Sequence, residues 1–180
     1  MNLANKATIL RMILVPVFVA CFFFEKSSPQ IITAVVFIIA ALTDTFDGWY
    51  ARKYHLVSDF GKLMDPMADK LLNCTAVILL QAAGKIHPIL TVIIIAREII
   101  ISAFRLSAVE KGIVIAAGMA GKIKTVVQML AIGSLLLDNP IFGRFGVPMD
   151  QILIWASGVL SIISLVGYIR NNLQVFGETK

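Results

Sequence analysis

Residues 31–53 read Ile31-Ile-Thr-Ala-Val-Val-Phe-Ile-Ile-Ala-Ala-Leu-Thr43, then Asp44-Thr-Phe-Asp47-Gly48-Trp-Tyr-Ala51-Arg52-Lys53. The first part holds no charge and no breaker. The second turns acidic and then basic, still without proline. A helix that is apolar all round lies within protein or lipid, so the stretch predicts one helix over about 31–53 whose far end carries acid at a membrane boundary. That single segment decides the fold class.

Working outward, the whole chain shares its character. Of 180 residues, 58% are hydrophobic and 15% charged, with mean hydropathy +0.87. Soluble domains hold about 45–50% apolar and roughly 25% charged residues. The composition excludes a disordered chain and argues against a water-soluble domain. Roughly 20 apolar residues span a bilayer core as a helix, so the length suits an all-α integral membrane protein with six transmembrane helices as one domain, residues 1–180. A net charge of +5 fits basic loops facing an anionic cytoplasmic leaflet, with no nucleic acid implied.

Apolar runs and their breaks predict helices over about 7–24, 31–53, 60–83, 88–106, 120–137 and 150–170, with a tight connection from Gly84 to Pro88. The first run ends in Glu25-Lys26-Ser27-Ser28-Pro29 without a small-x-small cleavage site, so a retained N-terminus is expected. With that terminus inside, ten basic residues fall at the cytoplasmic ends and only Lys26, Lys85 and Arg144 opposite. Both termini should then face the cytoplasm. Cys21 and Cys74 sit in apolar runs and read as buried, neither bridged nor metal-bound.

The polar end of the second helix and the polar start of the third, Gly61-Lys-Leu-Met-Asp65-Pro-Met-Ala-Asp69, fall on the same side. Asp44 and Asp47, three apart, share one helix face, and so do Asp65 and Asp69, four apart. Four carboxylates around one volume repel one another and are costly at membrane depth. Divalent cations cancel that charge, and hard oxygen donors suit magnesium, manganese or calcium. The plainer alternative is solvated helix ends paired with Arg52, Lys62 and Lys70. Gly48, Ala51 and Gly61 let a ligand, or simply another helix, approach the backbone.

Asp44-x-x-Asp47-Gly48-x-x-Ala51-Arg52-x8-Gly61-x3-Asp65-x3-Asp69 resembles the complete signature of the CDP-alcohol phosphotransferase family, with every position filled. The resemblance implies a six-helix membrane fold, usually dimeric, with a two-metal site (Mg2+ or Mn2+) open to the cytoplasm. It implies transfer of a substituted phosphate from a CDP-linked donor to an alcohol, releasing CMP. Asp44, Asp47 and Asp65 would be metal ligands, and Asp69 both ligand and general base. Gly48, Ala51, Arg52 and Gly61 would hold the CDP donor.

The acceptor is read from the remaining polar residues. Arg97 and Arg105, eight apart, sit roughly 80° apart around the fourth helix. With Lys122 they predict a basic pocket for an acceptor that carries its own phosphate. Lys124 and Arg170 read as positive-inside flanks. Pairing of Arg97 with Glu98 is expected to be poor, because adjacent helical residues point apart. The opening Met1–Arg11, Ala96-Arg97-Glu98 and Gly121-Lys122-Ile123-Lys124-Thr125 resemble the branch of the family that makes phosphatidylglycerophosphate in the bacterial plasma membrane, with Ala4 where proline is common. That implies CDP-diacylglycerol as donor and sn-glycerol 3-phosphate as acceptor. Thr8 and Arg11 would line the same pocket, or cap and anchor the first helix.

Two other readings are open. The same chemistry could use inositol phosphate, serine or phosphatidylglycerol. The four acids could instead serve a divalent-cation transporter, although the first and last helices offer little polar lining. His55 and His87 read as structural. Trp155 and Tyr168 read as interface or packing aromatics.

Overall fold

The computed structural model describes the backbone of residues 3–25, 28–53, 59–110 and 118–172. Within its helices, the side chains of residues 3–9, 11, 44–53, 59–69, 109 and 110 lie outside that description. Among the described residues, six helices carry the fold: α1 Leu3–Phe24, α2 Ile31–Lys53, α3 Asp59–Ala82, α4 Pro88–Glu110, α5 Met119–Leu136 and α6 Met149–Asn171. A short 3-10 turn, Gly143–Phe145, lies between the last two. Among the described residues there is no strand.

The connections show how the helices alternate in direction. Helix α3 stops at Gly84, whose φ of +74° suits a residue without Cβ. There the Lys85 amide donates to the Leu80 carbonyl at 2.9 Å and the Gly84 amide to Gln81 at 2.9 Å. Lys85 then crosses to the end of α5, donating to the Leu135 carbonyl at 2.9 Å and pairing with Asp138 at 2.5 Å. Ser28 donates to the same Asp138 carboxylate. The Gln30 amide donates to the Leu136 carbonyl at 2.9 Å, and Gln151 Nε2 to the Lys85 carbonyl at 3.0 Å. The α1–α2, α3–α4 and α5–α6 connections therefore meet at one end of the bundle. The later half of α2, the early half of α3 and the start of α5 run toward the other end.

Glu25 fastens the start of α2. Its carboxylate accepts from the Ile32 amide at 2.9 Å and from the Thr33 amide and hydroxyl at 2.8 Å each. Free donors and a positive dipole at a helix N-terminus favour such an anion. Partial desolvation pushes this carboxyl upward, but the hydrogen bonds from Thr33 and Ile32 outweigh it and hold its pKa below the usual carboxylate value.

Helix α1 packs on α2 and α3, α6 packs on α5 and α4, and contacts of α2 and α3 with α5 join the two groups. Phe18 of α1 stacks obliquely on Phe37 of α2, ring centroids 5.9 Å apart, within a core that includes Leu72, Leu80, Ile94, Ile132 and Ile154. At the α4–α6 crossing, a Cβ on Gly158 would lie 2.7 Å from Leu90 Cδ2. Close approach there requires the missing side chain.

The distribution of polarity is inverted relative to a soluble protein. Phe24, Ile32, Val92, Ile99, Leu130 and Ile163 are exposed, whereas Arg97, Lys124, Gln128, Ser157 and Ser161 are buried. Among the described residues, two helices, Met119–Leu136 and Met149–Asn171, are long and apolar enough to cross a membrane. Among the described residues, Met12–Phe24, Ile31–Thr43 and Lys70–Ala82 form shorter apolar helical stretches. Cys21 and Cys74 are half-buried rather than buried, and neither forms a disulfide. Exposed His87 accepts from the Ile89 amide at 3.3 Å and lies 6.2 Å from the Trp155 ring, in keeping with a structural role.

Candidate active site

Asp44 and Asp47 belong to α2, Asp65 and Asp69 to α3, and these two helices touch. Gly48, Ala51 and Arg52 lie on α2, Gly61 on α3, and Thr8 and Arg11 on α1. The side chains of all these positions lie outside the described residues.

Lys70 follows Asp69 directly on α3. Lys70 Nζ donates to the Ser102 hydroxyl of α4, which donates in turn to the Glu98 carbonyl. Glu98 Oε1 accepts from Arg97 Nη1 at 2.9 Å and from Lys124 Nζ, on α5, at 2.5 Å. Arg97 Nε donates to the Ser164 hydroxyl of α6 at 3.1 Å. Cations of α4 and α5 thus meet at one half-buried carboxylate, and α6 holds the Arg97 end through Ser164. Buried charges are tolerated when paired and hydrogen-bonded, and here one acid faces two bases, leaving an excess positive charge.

A small cleft opens between α3, α4 and α5, lined by Lys70, Asn73, Glu98, Lys124, Thr125 and Gln128. Gln128 Oε1 is buried without a hydrogen-bond partner. The guanidinium of Arg97 passes close over α5, where a Cβ on Gly121 would lie 3.0 Å from Arg97 Nη2. Further along α4, the Arg105 guanidinium sits 5.9 Å from the centroid of the Tyr168 ring. Its buried Nε has no hydrogen-bond partner among the described residues.

Two expectations need correction. Arg97 does pair with Glu98. Their Cα–Cβ bonds diverge, but both side chains are long, and Glu98 leans toward Lys124 while Ser164 holds the root of the guanidinium. Lys124 is no flanking charge: its side chain is 1% exposed, inside the cation cluster. Lys122 is exposed, because two residues turn a helix through about 200°. The arrangement thus joins Arg97 with Lys124 and leaves Lys122 outside. Reading by spacing missed Glu98 and Ser164. An acid midway along a largely apolar helix was the available signal for Glu98.

The profile of the family described as CDP-alcohol phosphatidyltransferase matches residues 1–163. The chain belongs to that family. Within the family, it is 37% identical to the CDP-diacylglycerol–glycerol-3-phosphate 3-phosphatidyltransferase of Bacillus subtilis (strain 168), covering 96% of each chain. The protein of that name from Haemophilus influenzae is 38% identical, over 94% of this chain and 92% of the relative. The one from Rickettsia felis is 34% identical, over 94% of each. The family match takes in both aspartate helices, the Arg97–Glu98–Lys124 cluster and most of α6.

Proposed function

We propose that this CDP-alcohol phosphatidyltransferase moves the phosphatidyl group of CDP-diacylglycerol onto sn-glycerol 3-phosphate, giving phosphatidylglycerophosphate and CMP. The observation that carries the reading is the cation cluster set against the aspartate helix: Arg97 and Lys124 converge on Glu98, and Glu98 and Lys124 line a cleft whose α3 wall includes Lys70, next to Asp69. Such a cluster suits an acceptor with its own phosphate. The names of the relatives agree.

The apolar exterior, the alternating helices and the bias of basic residues support six crossings of the plasma membrane, with both termini and the site toward the cytoplasm. The resemblance to the family implies a homodimer.

Four carboxylates on two touching helices fit a pair of hard divalent cations, Mg2+ or Mn2+. Asp44, Asp47, Asp65 and Asp69 would hold them, and bound ions supply neutralisation of the pyrophosphate and of the departing CMP. The chain's own residues do the rest. Gly48, Ala51, Arg52 and Gly61 hold the nucleotide against α2 and α3. Arg97, Arg105 and Lys124 grip the acceptor phosphate with Thr8 and Arg11, while exposed Lys122 adds positive potential at the mouth. Asp69 takes the proton of the acceptor hydroxyl as its oxygen bonds to the phosphorus that bears diacylglycerol. The pyrophosphate bond breaks, and CMP leaves with the electron pair.

The test is CMP release from CDP-diacylglycerol by purified protein with each acceptor supplied alone. Release with sn-glycerol 3-phosphate is expected. Release only with inositol phosphate, serine or phosphatidylglycerol keeps the chemistry and replaces the acceptor. No release with any of them, together with cation flux into vesicles, makes the protein a transporter.

A further inference from the structure

Glu98 takes no part in the transfer chemistry set out above, yet two helices direct their cations at it. The contacts fix both heads in place: Arg97 by Glu98 on one side and Ser164 on the other, Lys124 by Glu98. Both keep donors in hand. Arg97 Nη2 makes no hydrogen bond among the described residues and lies over Gly121, and the ammonium of Lys124 uses one of its three donors while lining the cleft. Without the carboxylate, two buried cations at this separation would repel and turn away from each other.

The cluster is a poor device for stability alone. Buried charge triads are commonly replaced by apolar side chains at no loss, or even a gain. A purely structural pair would also need only one cation. The backbone of Glu98 is itself tied to α3 through Ser102 and Lys70, which links the cation pair to the helix of the catalytic aspartates.

We propose that Glu98 is a positioning residue, holding Arg97 and Lys124 as a preformed pair of donors for the acceptor's phosphate. The proposal rests on the function proposed above. Its net charge follows: one carboxylate cancels one cation and leaves one positive charge for the incoming dianion.

The experiment compares Glu98→Gln with the parent full-length enzyme in mixed micelles. The amide keeps the shape and loses the charge, so the KM for sn-glycerol 3-phosphate should rise about tenfold or more, the worth of a charge-assisted hydrogen bond. The KM for CDP-diacylglycerol and kcat should stay within about twofold of the parent. In a Lys124→Gln background the same substitution should raise the acceptor KM by a smaller factor than in the parent, because one of its two cations is already gone. An unchanged acceptor KM, a parallel loss across both substrates and kcat, or full additivity with Lys124→Gln overturns the proposal. Should Glu98→Gln fail to insert, Glu98→Asp decides by the same split, since a shortened carboxylate cannot reach both cations. A parent enzyme inactive with sn-glycerol 3-phosphate would refute the proposed function instead. Binding of inorganic phosphate to the metal-free protein, weakened in Glu98→Gln or not, would then still judge Glu98.

Discussion

Lys124 Nζ of α5 lies 2.5 Å from Glu98 Oε1 of α4, with the lysine side chain only 1% exposed. A lysine so deep in a bundle is costly. Its presence there, with Arg97 on the same oxygen, places the excess positive charge of the interior beside the helix of Asp65 and Asp69.

The double assignment of Asp69 leads to opposite forecasts for metal rescue. Asp44→Asn, Asp47→Asn and Asp65→Asn should each abolish turnover at limiting magnesium while the protein still inserts. Asp69→Asn should turn over about 10²–10⁴-fold more slowly even at saturating metal, as loss of a general base does. Donor binding should survive. Recovery of Asp69→Asn to parent rates by excess Mn2+ would reduce the residue to a ligand.

Arg97 and Arg105 should separate acceptor from donor. Replacing either with alanine should raise the KM for sn-glycerol 3-phosphate about ten- to a hundredfold, the range for losing a hydrogen bond to a charged group. Donor KM should move much less. Lysine at either position should restore only part of the loss, because a planar fork becomes a point charge. A defect confined to CDP-diacylglycerol would move these arginines to the donor side.

Gly121 offers a gentler probe of the same cluster. An alanine methyl would meet Arg97 Nη2 at 3.0 Å, and the guanidinium is the far end of a flexible side chain, so it can give way. Folding should be nearly unaffected, and alanine is the better helix former by about 1 kcal/mol. The acceptor KM should nevertheless rise several-fold as Arg97 shifts. A more heat-stable variant with parent kinetics would show that the position of Nη2 does not matter.

Glu25 makes a prediction in pH. Its carboxyl is depressed in the folded state, so its contribution is present in full above the ordinary value near 4.5 and is lost as pH falls through the lowered folded value. Glu25→Gln should therefore lower Tm in detergent by a few degrees at neutral pH. The two proteins should converge in more acid solution. A Tm difference that persists unchanged to pH 3 would mean that the charge on Glu25 contributes nothing.

Much of this was legible in the sequence, and the misses have physical causes. Apolar runs place every helix core, yet α1 starts at Leu3 and α4 continues to Glu110. Hydropathy marks the apolar stretch, whereas Ala4-Asn5-Lys6 and Leu106-Ser-Ala-Val-Glu110 simply contain nothing that stops a helix. The signature acids are visible because the spacing of polar residues on one helix is a local property. The Glu98–Lys124 pair joins residues 26 apart on different helices. No local pattern reports it, and Lys122 and Lys124 look equivalent until the turn of α5 sends one outward and the other in. Ser164 was hidden likewise, since a serine on an apolar helix normally bonds its own backbone, as Ser161 does to the Ser157 carbonyl at 2.7 Å.

The apolar exterior of the bundle has one consequence for how such an enzyme is measured. With Ile99, Leu130 and Ile163 facing outward, a donor with two acyl chains arrives sideways through the lipid, while its partner arrives from water. The quantity that governs donor saturation is then its mole fraction in the surrounding bilayer or micelle, not its molarity. Adding inert detergent at fixed total donor should slow the reaction as a dilution in two dimensions, and leave the dependence on the water-soluble acceptor untouched.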